Sequence, residues 1–393
     1  MSSKKSPSGK KPHQSPNVEE YREKIDDLDR KLIQTLAKRH RIVRELFSDK
    51  LKGAGRIRDE EREGELLRRI RQLAAEEGID PYFAEKIFHD IIQQSLRYQT
   101  YSLVDHQNEN GNGDRVRVSY QGVQGAFSNQ AATRHFSERY KEVECIGYKT
   151  FDQAAKAVEE EAVDYAILPI ENTTAGSIND TYDLLAGKNL HIVGEEVLHI
   201  VHCLMAPGNV KLENIRRILS HPQAIAQCSH FLSELPRCRV ESYYDTAMAA
   251  RKVRDDNDLS QAAIASTYAA ELYDLHIVKK NIANQPENYT RFVIVSREPV
   301  SVDSQIQSKT SIVFATPHEK GALLRCLNAL EKHDINMTKL ESRPRPRKPW
   351  QYQFFLDVEG NSQDPRVQKG LKELESKSVY MKILGSYPRQ SGE

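Results

Sequence analysis

Apolar residues change their period once along this chain, at His106–Asp114, and that change constrains the fold more than any other feature. From Val18 to about Thr100 they recur at helical spacing, with Ile25, Leu28, Leu32, Leu36, Val43 and Leu46 on one stripe. The segment HQNENGNGD, 106–114, then holds no apolar residue, and RVRVSY from Arg115 alternates apolar with polar at the strand period. Two periods in two blocks require separate cores, and 393 residues fit roughly two to three domains.

In the helical block, Gly53 and Gly55 interrupt a very long first helix, a second runs from about Asp59 to Glu77, and Gly78 with Pro81 turns the chain into a third. Residues 17–105 are therefore expected to be an all-α domain. The preceding Ser/Lys/Pro-rich residues 1–16 lack apolar periodicity and read as a disordered tail, without the arginines and amphipathic pattern of a transit peptide. At 100° per residue, Arg39 and Lys50 fall within about 20° of each other and roughly 16 Å apart along the first helix, placed to grip a small dianion between them. Arg22 lies about 42 Å from Lys50 in a straight helix and cannot reach that ligand within its own chain. Asp59, Arg62 and Glu63 share a helix face, as do Ser95 and Gln99. Taken singly, each of these charges is equally an ordinary solvated helix face.

After the linker 106–114, short apolar strands (YAILPI, HIVGEEV, RRILSH, AAIAS, RFVIVS) alternate with helical segments over 115–298, the pattern of an α/β domain with a mostly parallel sheet. Four polar segments sit where strands give way to helices: YQGVQGAFSNQA, LPIENTTAGSIND, LSHPQAIAQC and NYTRF. Strand ends are where open α/β sheets bind ligands. Gly122 and Gly125 allow a tight turn, and Ser128 is the expected N-cap of a helix whose free N–H groups would receive a carboxylate. Glu171–Thr174 alone would be a capped turn, and His221 in SHP a structural histidine. A polar linker, 299–308, leads to a strand–helix–strand–strand–helix–strand order over 309–388, the ferredoxin-like arrangement.

Composition excludes several function classes. Lys+Arg 57 against Asp+Glu 56 gives a net charge of +1, so no global field favours nucleic acid or an anionic membrane. The five scattered cysteines contain no CxxC pair, which argues against a disulfide scaffold or zinc site and fits a reducing cytoplasm. No apolar run approaches the roughly 20 residues of a membrane span. No nucleotide, metal or flavin motif occurs, and no cofactor is expected.

The joint occurrence of these segments carries a family resemblance. YREKIDDLDRKLIQTLAKR, RIRDEERE and IIQQSLRYQ resemble the all-helical chorismate mutases; PIENTTAGSINDTYDLL, SHPQAIAQC and NYTRF resemble prephenate dehydratases; GALLRCL and NMTKLESRP resemble the ACT domain attached to them. The first resemblance implies that Arg22 and Arg39 hold the two carboxylates of chorismate, with Arg22 supplied by the partner in an intertwined homodimer. It places Lys50 and Gln99 on the ether oxygen, Asp59 and Glu63 on the ring hydroxyl, and Arg62 and Ser95 beside them. The second implies a two-lobed, periplasmic-binding-protein-like domain with Asn172, Thr173, Ser220, Gln227, Thr290 and Arg291 around prephenate, Thr290 foremost in catalysis. Arg291 has a structural ion pair as its alternative role. The third implies a phenylalanine site formed by Gly321, Ala322, Leu323, Asn336, Glu341, Ser342, Arg343 and Pro344, and feedback inhibition.

Together these imply a bifunctional enzyme that rearranges chorismate to prephenate and converts prephenate to phenylpyruvate. YQGVQGAFS equally resembles plant-type arogenate dehydratases, so arogenate stands as an alternative second substrate. A non-catalytic amino-acid-binding regulator is the other alternative; the retained polar sets of both sites speak against it.

Overall fold

The computed structural model describes residues 18–52, 60–108, 114–304, 306–345 and 348–390, with the side chains of 48–52, 60, 106 and 107 outside the description. The expected tail, 1–16, lies outside the described residues, as does most of the linker 106–114. The packing divides the chain into two compact units, 1–95 and 96–393.

A run of 35 residues free of Gly and Pro, with Glu19 and Glu20 complementing the N-terminal dipole, forms the unbroken helix α1 (Val18–Lys52). After α2 (Glu60–Glu76), Gly78 takes a left-handed φ of 73°, and Pro81 opens α3 (Pro81–Gln107). Among the described residues of the first unit, the buried apolar side chains are Phe47, Ile70, Ala74 and Ile92. The expected stripe instead stays largely in solvent: Ile25 is 55 %, Leu28 62 %, Leu32 59 % and Leu46 54 % exposed. So few buried residues are too small a core to hold a helical unit of this size.

Helix α3 continues beyond Thr100 and takes in the first two residues expected in the linker. Tertiary contacts hold this extension. Tyr101 donates to the Glu195 carbonyl at 3.0 Å, Arg97 to Glu196 at 3.1 Å, and Arg139 forks onto Asp105 at 2.7 and 2.8 Å.

The second unit begins with strands β1 (Arg115–Gln121), β2 (Glu142–Tyr148), β3 (Tyr165–Asn172), β4 (Gly176–Ser177) and β5 (His191–His199). The chain then crosses to a second sheet of β6 (Cys203–Ala206), β7 (Arg217–Ser220), β8 (Arg239–Ser242), β9 (Gln261–Ala265) and β10 (His276–Lys279), and returns as β11 (Tyr289–Ser296). The first sheet has the order β2-β1-β3-β11-β5 with β4 beside β3, and the second β10-β6-β9-β7-β8. Two lobes result, joined by two crossings that run side by side: Ile200 N–H donates to Asn288 O at 2.7 Å, and Ile282 N–H to His202 O at 3.1 Å. The expectation of a mostly parallel sheet needs correction, because β11 runs antiparallel to both β3 and β5, and β6 antiparallel to β9 and β10. A strand that re-enters the first lobe from the second must run against those that left it.

A third sheet, β12 (Ser308–Ala315), β13 (Met337–Pro344), β14 (Tyr352–Glu359) and β15 (Tyr380–Pro388), is antiparallel with order β13-β14-β12-β15. Helices Ala322–Glu331 and Pro365–Ser376 bury Cys326, Leu330, Leu371 and Leu374 against Ile312, Phe314, Leu356 and Val358. The sheet's other face shares a core with the first lobe, Phe355, Leu384 and Tyr387 packing with Leu185, Ile192 and Val293. Contact there is so close that a Cβ on Gly385 would stand 2.0 Å from the Ile192 carbonyl oxygen. Within this seam Lys309 meets Glu195 at 3.3 Å, and Arg291 meets Asp357 at 2.5 Å, all four buried.

Candidate active sites

A cleft of about 950 Å³ opens between the lobes of the second unit. Its wall mixes Phe127, Pro169, Ile178, Ile200 and Phe292 with Gln121, Asn172, His202, His221, Gln227, Thr246 and Thr290. Apolar faces for a ring beside a few convergent polar groups are the composition of a small-molecule site.

At one end, Gly122 (φ 114°) and Gly125 (φ 92°) make the tight turn before helix Phe127–Phe136. Ser128 lies within that helix and does not cap it as expected; Ala126 occupies the cap position and offers no side-chain acceptor. The first-turn N–H groups are thus left without a side-chain cap beside Phe127 and Ser128 of the cleft wall, where a carboxylate is best received.

The other end is built on Asn172, the last residue of β3. Its Oδ1 accepts from the backbone N–H of Thr174 (3.0 Å) and Ala175 (2.8 Å), which turns the chain toward β4. Its Nδ2 faces three acceptors that share its two protons, Asn288 Oδ1 (2.8 Å), Tyr289 O (3.1 Å) and Thr290 Oγ1 (3.0 Å). Thr290, opposite Asn172 in the β3–β11 register, lines the cleft, and among the described residues its own O–H donates to no protein group. Gln227 reaches from the second lobe to Asn172 Oδ1 at 3.2 Å. His221 accepts from Gln223 N–H at 3.2 Å as the cap of its helix while edging the cleft, and burial lowers its pKa.

Three expected prephenate contacts do not line the cleft. Arg291 follows Thr290 on a strand, so its side chain emerges on the opposite face, where it pairs with Asp357 and Glu195. The ion-pair alternative describes its position. Ser220 is fully buried with its hydroxyl on Ile264 O at 2.7 Å, and Thr173 spends its hydroxyl on Glu287 O and Tyr289 N–H, bracing β3 against the crossing. Conversely, sequence reasoning passed over His202, Thr174 and Asn288. The last two stand inside the quoted ENTTAG and NYTRF segments; His202 carries no turn or motif signal at all.

In the helical unit Arg39 donates to Ser95 Oγ at 2.9 Å, and Ser95 in turn to Ile91 O at 2.9 Å. Burial lowers the Arg39 pKa. Arg22 is exposed, 3.6 Å from Glu19 and, by helix rise, about 25 Å from Arg39. Arg62 is exposed and Glu63 half-buried; Gln99 is buried on the stretch of α3 that belongs to the second unit. Lys50 lies in α1 with its side chain outside the description, and Asp59 lies outside the described residues.

Of the expected phenylalanine set, Gly321 caps helix Ala322–Glu331 in a left-handed conformation (φ 73°) without a side-chain cap; Leu323 sits in that helix's first turn. Asn336 O accepts from Glu359 N–H. Glu341–Pro344 lie on β13, an edge strand whose Glu341 accepts from Ser177 Oγ at 2.6 Å and whose Arg343 pairs with Asp183 at 2.6 Å. Among the described residues no group of three or more His, Cys, Asp or Glu could hold a metal ion, and no helix is long and apolar enough to cross a membrane.

Two stretches of the chain match known families. Residues 21–100 match the chorismate mutase type II family and residues 118–300 the prephenate dehydratase family. A bifunctional chorismate mutase/prephenate dehydratase of Enterobacter agglomerans is 38 % identical over 370 residues, 94 % of this chain and 95 % of that protein. An Arabidopsis thaliana chloroplastic arogenate dehydratase/prephenate dehydratase is 43 % identical over 286 residues, 70 % of this chain and 74 % of the relative. Among solved structures, an Arthrobacter aurescens prephenate dehydratase in complex with L-Phe is 30 % identical with a TM-score of 0.65, covering 71 % of this chain and 92 % of that one. A helical unit and a two-lobed cleft carried on one chain, in the order and over nearly the full length of such relatives, make this chain a member of the bifunctional chorismate mutase/prephenate dehydratase family.

Proposed function

We infer that the chain catalyses two consecutive steps of L-phenylalanine biosynthesis, rearranging chorismate to prephenate and then dehydrating and decarboxylating prephenate to phenylpyruvate. What carries this reading is the match to bifunctional relatives over 94 % of the chain, which spans both sites. We assign 17–105 to the mutase, 115–298 to the dehydratase and 309–388 to an ACT-type regulatory domain.

The first step is pericyclic and needs no proton carrier. Arg39 and a partner's Arg22 would fold the substrate by its carboxylates, Lys50 and Gln99 would stabilise charge on the ether oxygen, and Asp59 and Glu63 would take the ring hydroxyl, with Arg62 and Ser95 beside them. Orientation of this kind supplies up to roughly 7–11 kcal/mol. The exposed stripe of α1 supports a homodimer that both completes the core and delivers Arg22.

In the second step the electron pair of the ring–carboxylate bond moves through the ring as carbon dioxide leaves, and the hydroxyl departs with the C–O electron pair and takes a proton from solvent to become water. Thr290 would donate its uncommitted O–H to that oxygen, and the helix N-terminus at Phe127 would receive a carboxylate. Asn172 and Gln227 hold this end of the cleft. Thr290→Val tests the assignment: prephenate turnover should fall at least about 100-fold while chorismate consumption continues, and unchanged turnover would remove Thr290 from the mechanism.

L-Phenylalanine at Gly321–Leu323, Asn336 and Glu341–Pro344 would inhibit by favouring one arrangement of the dimer, a reading supported by the L-Phe complex of the Arthrobacter relative. A second substrate reading has its own support. The 43 % identity to the Arabidopsis enzyme and the cleft carboxylates Asp152 and Asp180 suit the ammonium of arogenate. Comparing kcat/KM for prephenate and arogenate decides between them.

A further inference from the structure

Around Thr290 the direction of every hydrogen bond follows from backbone groups that cannot reverse. Asn172 receives two main-chain N–H groups at Oδ1 and gives Nδ2 to the Tyr289 carbonyl, so its amide has one orientation. Gln227, 3.2 Å from that Oδ1, must therefore present Nε2, which also reaches Thr174 Oγ1 at 2.6 Å. Its Oε1 is left to accept from Asn288 Nδ2 at 3.0 Å and to face His202 Nε2 at 2.8 Å. The proton of that last contact can only sit on His202 Nε2. Burial lowers the His202 pKa and keeps the ring neutral, and Nδ1 is buried without a partner among the described residues, as this single tautomer requires.

We propose that His202 is a positioning residue for the dehydratase step: its Nε2–H anchors Gln227 Oε1, which keeps Gln227 on Asn172 and Asn172 on the Thr290 lone pair and leaves the Thr290 O–H for the substrate. These bonds also tie the crossing between the lobes (His202) to the second lobe (Gln227) and the first (Asn172, Thr290), so the donor is oriented with respect to both walls of the cleft. This inference rests on Thr290 as the donor to the departing hydroxyl.

The test compares His202→Gln with His202→Glu in the full chain, a matched pair differing in whether the terminal group carries an N–H. Mutase activity of the same preparations reports folding. His202→Gln should stay near the wild-type dehydratase kcat. His202→Glu at about pH 8 should lose about tenfold in kcat, the worth of one hydrogen bond, with KM little changed. That loss should shrink as pH falls and the buried carboxyl gains a proton it can donate. Equal kcat values for the two variants at every pH, or a change confined to KM, would overturn this anchoring role. If the Glu variant also loses mutase activity, His202→Leu takes its place: a kcat equal to that of His202→Gln overturns the proposal and a tenfold lower one supports it. Thr290→Val run in parallel separates the two layers. Full activity in that variant refutes the Thr290 reading itself, whereas an inactive Thr290→Val beside equal His202 variants refutes only the anchoring role of His202.

Discussion

At the scale of single residues, the proposed dehydration depends on one hydroxyl, that of Thr290, which accepts from Asn172 and donates to no protein group among the described residues. Thr290→Ser should therefore retain most prephenate turnover and Thr290→Val almost none, and equal loss in both would mean that the methyl packing, not the hydroxyl, matters. A different prediction concerns His135, whose pKa burial lowers from 6.5 to about 4 against the pull of its 3.2 Å contact with Glu196. The unfolded chain gains that proton from near pH 6.5 downward and the folded chain only near 4, so stability falls as pH drops through this window. Glu196 acts in the same direction. Burial pushes its carboxyl up, but the His135 bond and Arg97 outweigh that and hold it below its ordinary range, so protonation on acidification also costs stability. Melting temperature should decline from pH 6.5 to 4, and less steeply in His135→Gln; equal slopes would contradict this role. Asn172, Gln227 and Thr290, which line the cleft, were singled out through the family resemblance of their segments and not by any local pattern. The error over Arg291 was avoidable, since consecutive strand residues face opposite sides and Thr290 and Arg291 cannot both meet one ligand. His202 was not legible: its role depends on two crossings meeting in space, a relation that no local pattern encodes.

At the scale of elements, periodicity located α1–α3 and most strands to within a few residues, and it mistook direction rather than existence. The antiparallel course of β11 arises from the return between lobes, which apolar alternation does not record. The stripe on α1 was read correctly as apolar, yet a single chain does not cover it. Burying Leu28 and Leu32 in a partner helix would contribute about 1.5–3 kcal/mol each, so Leu28→Glu with Leu32→Glu should shift sedimentation toward monomer and abolish mutase activity. A wild-type monomer with full mutase activity would contradict the dimer. Strand β13, part of the proposed phenylalanine site, touches the cleft wall, because Glu341 and Arg343 bond to Ser177 and Asp183. Ser177→Ala should leave phenylalanine binding, measured by calorimetry, nearly intact while weakening its inhibition of prephenate turnover. Unaltered inhibition would show that coupling runs elsewhere.

At the scale of the whole molecule, the step from a helical block to one of strands and helices was visible in the single change of period at 106–114, whereas the packing of the third sheet on the first lobe was not. The third sheet shares a buried seam with the first lobe through Lys309–Glu195 and Arg291–Asp357, charges that look solvent-facing in a sequence. The end of α3 is held by Arg97, Tyr101 and Asp105, the last two beyond the stretch of helical apolar spacing. The most direct test of the bifunctional reading supplies chorismate alone to the full-length protein and follows chorismate, prephenate and phenylpyruvate over time. Chorismate should disappear, phenylpyruvate should accumulate, and Thr290→Val should stop the sequence at prephenate. Untouched chorismate, or prephenate persisting with the wild-type chain, would contradict it.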